Sequence, residues 1–314
     1  MHVKSILDRI QTLRVLVVGD VCLDRWCHYD PDQAEPSRET GIPRIGVIRT
    51  EVSAGAGGTI ANNLVALGVR DVSVAGVIGD DGSAYELERV LRASGIRTDL
   101  LIKTPEVCTF TYTKLINHKT LEEDRPRVDF INTQPMPDVG LLNLIEDTYD
   151  VVMVSDQAET EAGGVLSAPL RARVMQMSGV VWVDSRKRAE HFRGVFLKPN
   201  RDEAAEACMR KFRSGLDPQR LFRENELKAL IVTHGDEGSQ VITSCGEQWV
   251  PARKVRAVDT CGAGDSFSAG AACALAVTND PVQAAKFGSL VASVTVTKRG
   301  TGTASPEELL AIDE

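Results

Sequence analysis

Short, wholly apolar runs that end at a turn residue recur along this chain, and they constrain its fold more than any other feature. Arg14-Val15-Leu16-Val17-Val18-Gly19 is the first. Val72 to Ile78, Val151 to Val154, Val180 to Val183, Val195 to Leu197 and Ala229 to Val232 repeat the pattern. A strand with no polar face belongs inside a sheet that is covered on both sides. Helical spacing fills many of the gaps, at Ile60 to Leu67, Tyr85 to Ala93, Pro169 to Met177 and Glu203 to Phe212. Alternating strand and helix predicts a mostly parallel sheet between two helical layers, an α/β three-layer sandwich. A length of 314 residues allows one large domain, or one plus a small appendage, and the continuous rhythm favours a single domain spanning 1–314.

Three departures from the rhythm are informative. Gly238 to Thr243 and Glu247 to Val250, joined by Cys-Gly, predict a hairpin. Residues 26–52, with the extended run Ile42 to Ile48, and residues 107–130, with Val107 to Lys114, carry β-branched and aromatic residues. They read either as strands outside the main sheet, together forming a small β-lid, or as its edge strands. Lid edges left open would allow a homodimer to pair through them. Near the C-terminus, Phe267, Ala271, Ala274 and Leu275 follow helical spacing, Pro281 opens a second helix and Ser305-Pro306-Glu307-Glu308 a third.

Composition excludes several classes. With 43% apolar and 25% charged residues the chain is an ordinary globular protein. Its net charge of −8 gives no general attraction to nucleic acid or an anionic membrane. No window supplies about 18 continuous apolar residues, and Met1 to Arg9 lacks a signal-peptide core. Seven scattered cysteines without a CxxC pair suggest a reduced, cytoplasmic protein without structural zinc.

Asp259-Thr260-Cys261-Gly262-Ala263-Gly264-Asp265-Ser266-Phe267-Ser268 places small residues and an acid where an apolar helix begins. Uncapped amides at a helix start suit an anion, and glycines let it approach the backbone. Asp265 beside such a cradle is placed to accept a hydroxyl proton during phosphoryl transfer. The helix end should favour its anionic form, making it a weak base. The bland alternative is a glycine-rich helix entry with Asp265 as its cap. Asn200 and Glu203, in Lys198-Pro199-Asn200-Arg201-Asp202-Glu203, likewise spell an ordinary capping box. Thr233-His234-Gly235-Asp236-Glu237-Gly238 spells a strand-to-hairpin turn.

Taken together, D-T-x-G-A-G-D-x-F resembles the signature of the ribokinase-like, or PfkB-type, carbohydrate kinases, and the likeness runs from Val15 to about Ser305. The resemblance implies a ribokinase-like fold, and an ATP-dependent kinase acting on a sugar or sugar phosphate. It makes Gly262, Ala263 and Gly264 the anion hole and Asp265 the base. It places Thr233, Gly235 and Gly238 against the nucleotide. Asn200 and Glu203 would organise Mg2+ and the ATP phosphates. Asp259, with Gly300 in Val296-Thr297-Lys298-Arg299-Gly300, would lie by a monovalent cation, K+. The sugar would meet Asp24, with Asp20 second, at the end of the first strand, and Gly55 and Thr59 of Ser53-Ala54-Gly55-Ala56-Gly57-Gly58-Thr59. The family usually has Gly-Gly and Asn where Gly55-Ala56 and Thr59 stand. A slipped register would bring in Gly57, Gly58 and Asn62.

Gly19 to Trp26, and Lys114 with Arg127-Val128-Asp129, look most like bacterial heptose-7-phosphate kinase domains. Two departures bear on that substrate. Gln157-Ala158-Glu159-Thr160 replaces an aromatic and Lys-Gly, and Ser185-Arg186 replaces Pro-Lys. No HxGH nucleotidyltransferase motif and no GxxxxGK[ST] P-loop occurs. A silent sugar- or nucleotide-binding regulator and a nucleoside kinase on the same fold are the alternatives. With 5% aromatic residues, few remain for a nucleobase clamp.

Overall fold

The computed structural model describes residues 2–137, 139–158 and 163–313. Its strands are β1 (Arg14–Gly19), β2 (Val21–Tyr29), β3 (Val47–Ala56), β4 (Asp71–Gly79), β5 (Arg97–Thr104), β6 (Thr111–Asn117), β7 (Val128–Phe130), β8 (Val151–Asp156), β9 (Val180–Ser185), β10 (Phe196–Leu197), β11 (Ala229–Thr233), β12 (Gly238–Thr243) and β13 (Gly246–Pro251). Nine of them form one sheet in the order β13-β12-β11-β10-β9-β8-β1-β4-β5. From β11 to β5 every neighbour is parallel. The hairpin β12–β13 adds an antiparallel edge.

The apolar runs are buried as their composition requires. In β1, Val15 and Val17 face one core and Leu16 and Val18 the other, all at 0% exposure. The first core is roofed by the helices Val3–Ile10, Gly57–Ala66, Gly82–Ala93, Ala263–Thr278 and Pro281–Thr295. The second is roofed by Ala168–Met175, Arg201–Phe212 and Pro218–Glu224. Small residues let two of these helices touch closely. A methyl group on Gly270 would stand 2.7 Å from Val291 Cγ2, and one on Gly288 2.7 Å from the Phe267 carbonyl oxygen. No described helix is long and apolar enough to cross a membrane.

β1 is followed by β4 on one side and, later in the chain, by β8 on the other. The chain reverses its winding there, and a crevice opens beyond the carboxyl ends of those strands. Asp20, Asp156, Asp184 and Lys198 all lie at such ends.

The strands expected outside the main sheet form a second sheet, ordered β3-β2-β6-β7. Its boundaries differ from the sequence reading. Ile42 to Ile48 is not a strand over most of its length; β3 starts at Val47, and Pro43 contributes an isolated bridge to Pro36. The lid segment expected to start near residue 26 begins earlier, because β2 runs for nine residues from Val21. Asp20 alone separates β1 from β2, because Gly19 turns the chain at φ +132°. Charged Asp24 and Arg25 interrupt its apolar pattern. The sequence reading also passed over Val3–Ile10, β5 and Pro218–Glu224. β5 alternates imperfectly and carries polar residues, as an edge strand can.

β3 enters the helix Gly57–Ala66 without a loop, and Ala56 at the junction has φ 51° and ψ −121°. Such a conformation suits glycine, and a side chain there costs about 1–3 kcal/mol. Ala56→Gly is expected to raise the melting temperature by about 2 °C, measured by thermal unfolding.

Candidate active site

The helix Ala263–Thr278 begins with Gly262 in the left-handed conformation (φ 76°) and has no side-chain cap. Its first amides therefore face the crevice without a protein side chain on them. The Ala263 N–H is engaged by the Thr260 carbonyl at 3.2 Å. A methyl group on Gly262 would stand 3.3 Å from the methyls of Thr59 and Thr301.

Asp265 lies in the first turn of that helix, partly buried. Its carboxyl is pushed up to about 7, by burial first and then by the Asp184 charge, against the pull of Lys198 and Arg186. This corrects the expectation of a weak, dipole-stabilised base. Desolvation and a like-charged neighbour outweigh the helix end. Asp184, the penultimate residue of β9, pairs with Lys198 at 2.8 Å and accepts a 3.1 Å bond from Ser268 Oγ. Asp184 and Lys198 are 4% and 3% exposed. Burial lowers the Lys198 pKa, yet Asp184 and Glu203 outweigh it and hold the ammonium above its ordinary value.

On one side of this cluster, Asn200 and Glu203 close a capping box. Asn200 Oδ1 accepts from Glu203 N at 2.9 Å, and Glu203 Oε2 from Asn200 N at 2.8 Å. Burial and Asp184 raise the Glu203 carboxyl. Asn200 bridges to Thr233, whose N–H bonds the Pro199 carbonyl at 3.0 Å. From Thr233 a cavity of 270 Å³ runs past Gly235, Gly238 and Val255 to Ala263 and Gly264. Gly235 (φ 59°) is open to it, whereas a side chain on Gly238 would strike the Val250 carbonyl, so Gly238 is also a requirement of the hairpin. Asp259 accepts from Cys261 N at 2.9 Å and from Gly300 N at 3.0 Å, tying the loop to the turn that follows Pro281–Thr295.

On the other side, Asp24 sits within β2 rather than in a loop, paired in register with Ser53 and Tyr112. Gly55 is packed against it: a methyl group there would collide with the Asp24 carboxylate and Cys22 Sγ. Burial raises the Asp24 carboxyl, and Lys114 and Arg127 oppose that. Lys114 Nζ lies 5.5 Å from the Trp26 ring, and Arg127 stands 4.9 Å over Tyr112 while holding Asp129 at 2.7 Å.

Two acceptor-side expectations change. Asp20 is 3% exposed and both its oxygens accept backbone N–H groups, from Gln157 at 2.8 Å and Val165 at 2.7 Å. Burial and Asp156 raise it to about 6. It anchors a loop to β1 and does not face the cleft as an open carboxylate. Thr59 is 2% exposed and donates its hydroxyl to the Ala54 carbonyl at 3.3 Å. Gly57 and Gly58 are packing glycines, close to the Asp20 carbonyl and Ala54. Asn62 is half-buried on the same helix. Glu159 and Thr160 lie outside the described residues, and Ser185 donates to Asp156 at 2.6 Å, beside the buried Arg188–Asp156 pair.

Sequence reasoning missed Lys198 and Asp184. Both carried a signal, namely an ionisable residue directly at the end of a wholly apolar strand.

An acid whose pKa is higher folded than unfolded costs stability once it ionises. The cost is absent below about pH 4, grows as pH rises, and is complete above about 7. Asp265→Asn is therefore expected to match wild-type stability near pH 4 and to exceed it by on the order of 2 kcal/mol at pH 8, read from denaturant unfolding at both pH values.

Comparisons with known proteins bear on the family and the fold. A family model described as pfkB family carbohydrate kinase matches residues 14–308. The D-beta-D-heptose 7-phosphate kinase of Bordetella bronchiseptica is 32% identical over 314 residues, covering 96% of this chain and 96% of that one. The bifunctional protein HldE of Trichlorobacter lovleyi is 30% identical over 326 residues, covering 98% of this chain and 64% of that one, so the chain spans less than two thirds of that relative. Among solved structures, ribokinase from Thermotoga maritima has a TM-score of 0.72 at 22% identity, covering 95% of this chain and 98% of that one. Phosphofructokinase-2 from Escherichia coli, in complex with potassium, has 0.74 at 16%, covering 96% and 98%. With the ribokinase-like fold shared and nearly the whole chain matched, this protein belongs to the pfkB family of carbohydrate kinases.

Proposed function

We propose that this chain transfers the γ-phosphoryl group of ATP to a hydroxyl of a sugar phosphate. The observation that carries the reading is one desolvated cleft in which Asp265 stands between two differently built sides. One side has the 270 Å³ cavity and the uncapped helix start, and the other has Asp24 with Lys114 and Arg127.

ATP would occupy the cavity, with its phosphates directed to Gly262 and Gly264 and its remainder along Thr233, Gly235 and Gly238. The acceptor's hydroxyls would bond Asp24 beside Gly55. Its phosphate would meet Lys114 and Arg127, the two cations that bear on the Asp24 carboxyl. Asp265 accepts the proton of the attacking hydroxyl, and a carboxylate with a pKa of about 7 is better matched to that task at neutral pH than an ordinary one. The departures after Asp156 and Asp184 are where the acceptor would differ from the heptose phosphate of the Bordetella bronchiseptica relative. Thr59 acts through the helix start that it packs against.

Mg2+ fits Asn200 and Glu203. Their box uses Oε2 and leaves Oε1 outside it, and the raised Glu203 carboxyl lies near a second acid. No group of three or more His, Cys, Asp or Glu among the described residues could hold a metal, so the ion would keep water and nucleotide oxygens as most of its ligands. It supplies charge neutralisation on the phosphates when bound. K+ fits the turn where Asp259 and Gly300 meet, and would steady the loop that carries the cradle.

The small sheet has two open edges, β3 and β7, with Val47, Ile48, Val128 and Phe130 each 45–49% exposed. These favour a homodimer through that sheet, and sedimentation velocity is expected to give twice the chain mass.

Asp265→Asn is expected to lower kcat at least 10³-fold with ATP affinity within about threefold of wild type. The assay is ADP release across sugar phosphates, with magnesium and potassium present. A variant rate near wild type would remove Asp265 as the base. Failure of every sugar phosphate in the wild-type protein would favour the silent-binder alternative.

A further inference from the structure

The Lys198 ammonium is buried, charged and only partly partnered. It has three N–H groups. Among the described residues the Asp184 carboxylate, at 2.8 Å, is its one hydrogen-bonding partner. It also lies at the helix start: a methyl group built on Gly264 would stand 3.5 Å from Nζ. Gly264 lines the 270 Å³ cavity as well. A cation with unused donors therefore sits beside the uncapped helix amides, close to both Glu203 and Asp265.

We propose that Lys198 is a catalytic residue whose ammonium contacts the γ-phosphoryl oxygens as the group passes Gly264, with Asp184 as the counter-ion that holds it in place. The proposal rests on the kinase reading. In the transfer, the bond from the acceptor oxygen to the γ-phosphorus forms and the bond to the β,γ-bridging oxygen breaks. ADP leaves with that electron pair, and the hydroxyl proton passes to Asp265. Lys198 keeps its own proton throughout. Its charge meets the oxygens that lie between the entering and leaving groups, where a fixed cation in a water-poor site stabilises most.

The competing explanation is that Lys198 only neutralises buried Asp184. Lys198→Met alone cannot separate the two, because it strands a buried carboxylate. Asp184→Asn with Lys198→Met removes both charges, leaves the net charge beside Asp265 unchanged and keeps the side-chain volumes similar. A purely structural lysine predicts that this double variant recovers both melting temperature and turnover. A catalytic lysine predicts recovery of the melting temperature only, with kcat at least about 100-fold below wild type. It also predicts a loss of at least tenfold in the preference for Mg2+-β,γ-imido-ATP over ADP, measured by calorimetry without any acceptor.

A kcat within threefold of wild type, or an undiminished triphosphate preference, would overturn the proposal. Asp184→Asn with Lys198→Gln, which removes both charges and keeps a hydrogen bond between the two side chains, carries the same two expectations if the first double variant does not fold. A wild-type protein that binds neither nucleotide would overturn the kinase reading, an outcome visible before any variant is made.

Discussion

The ion pair between Asp184 and Lys198 organises the centre of this protein. Each partner alone would be costly to bury, since an isolated charge loses several kcal/mol of hydration. Together at 2.8 Å, with Ser268 on the carboxylate, they form a nearly neutral unit at the ends of β9 and β10. That unit allows a third ionisable group, Asp265, to stand beside it. Asp265 is then raised by burial and by Asp184 and restrained by Lys198, which leaves it near 7. The helix start that carries Asp265 also carries the uncapped amides. The buried charges, the raised acid and the uncapped amides are thus held by one small set of contacts, and a carboxyl kept in so unfavourable a setting is the kind of feature that a working site retains at the expense of stability.

The second sheet completes the cleft from the opposite side. Gly19 and Asp20 turn the chain directly from β1 into β2, so Asp24 is joined to the main sheet through four residues. Asp20 then pins the loop that follows β8 through two backbone bonds. The Asp24 side of the cleft is therefore fixed to the same strand ends as the side that holds Asn200 and Thr233. Gly55 lets β3 lie flat against the Asp24 carboxylate, and Ala56 accepts a strained conformation so that the helix Gly57–Ala66 begins at once. Thr59 of that helix lies close enough to Gly262 that an added methyl group there would stand 3.3 Å from it. The strain at Ala56 is local, and it keeps the two halves of the cleft in contact.

What the amino-acid sequence determined by itself was the main sheet and the identity of the principal motifs. Continuous apolar runs such as Arg14 to Gly19 and Ala229 to Val232 need burial on both faces, and only a covered parallel sheet provides it. The hairpin after Gly238 and the C-terminal helices were legible for similar local reasons. Asp265 could be singled out by its place at a glycine-rich helix start, whereas Asn200, Glu203, Thr233 and Asp259 stood out only through the family resemblance of the motifs that contain them. Tertiary structure alone decided which groups meet. β2 was hidden because Asp24 and Arg25 break its pattern, and its pairing with β3 and β6 depends on residues far along the chain. Asp20 and Asp24 look alike four residues apart, yet one is consumed by backbone amides and the other lies against Gly55 under the pull of Lys114 and Arg127. The basicity of Asp265 could not be read from its helix position, because desolvation and Asp184, 81 residues earlier, outweigh the local dipole. Lys198 shows the same limit: its sequence neighbours mark a strand end, while its proximity to Gly264 exists only because the sheet and the helix start close on each other.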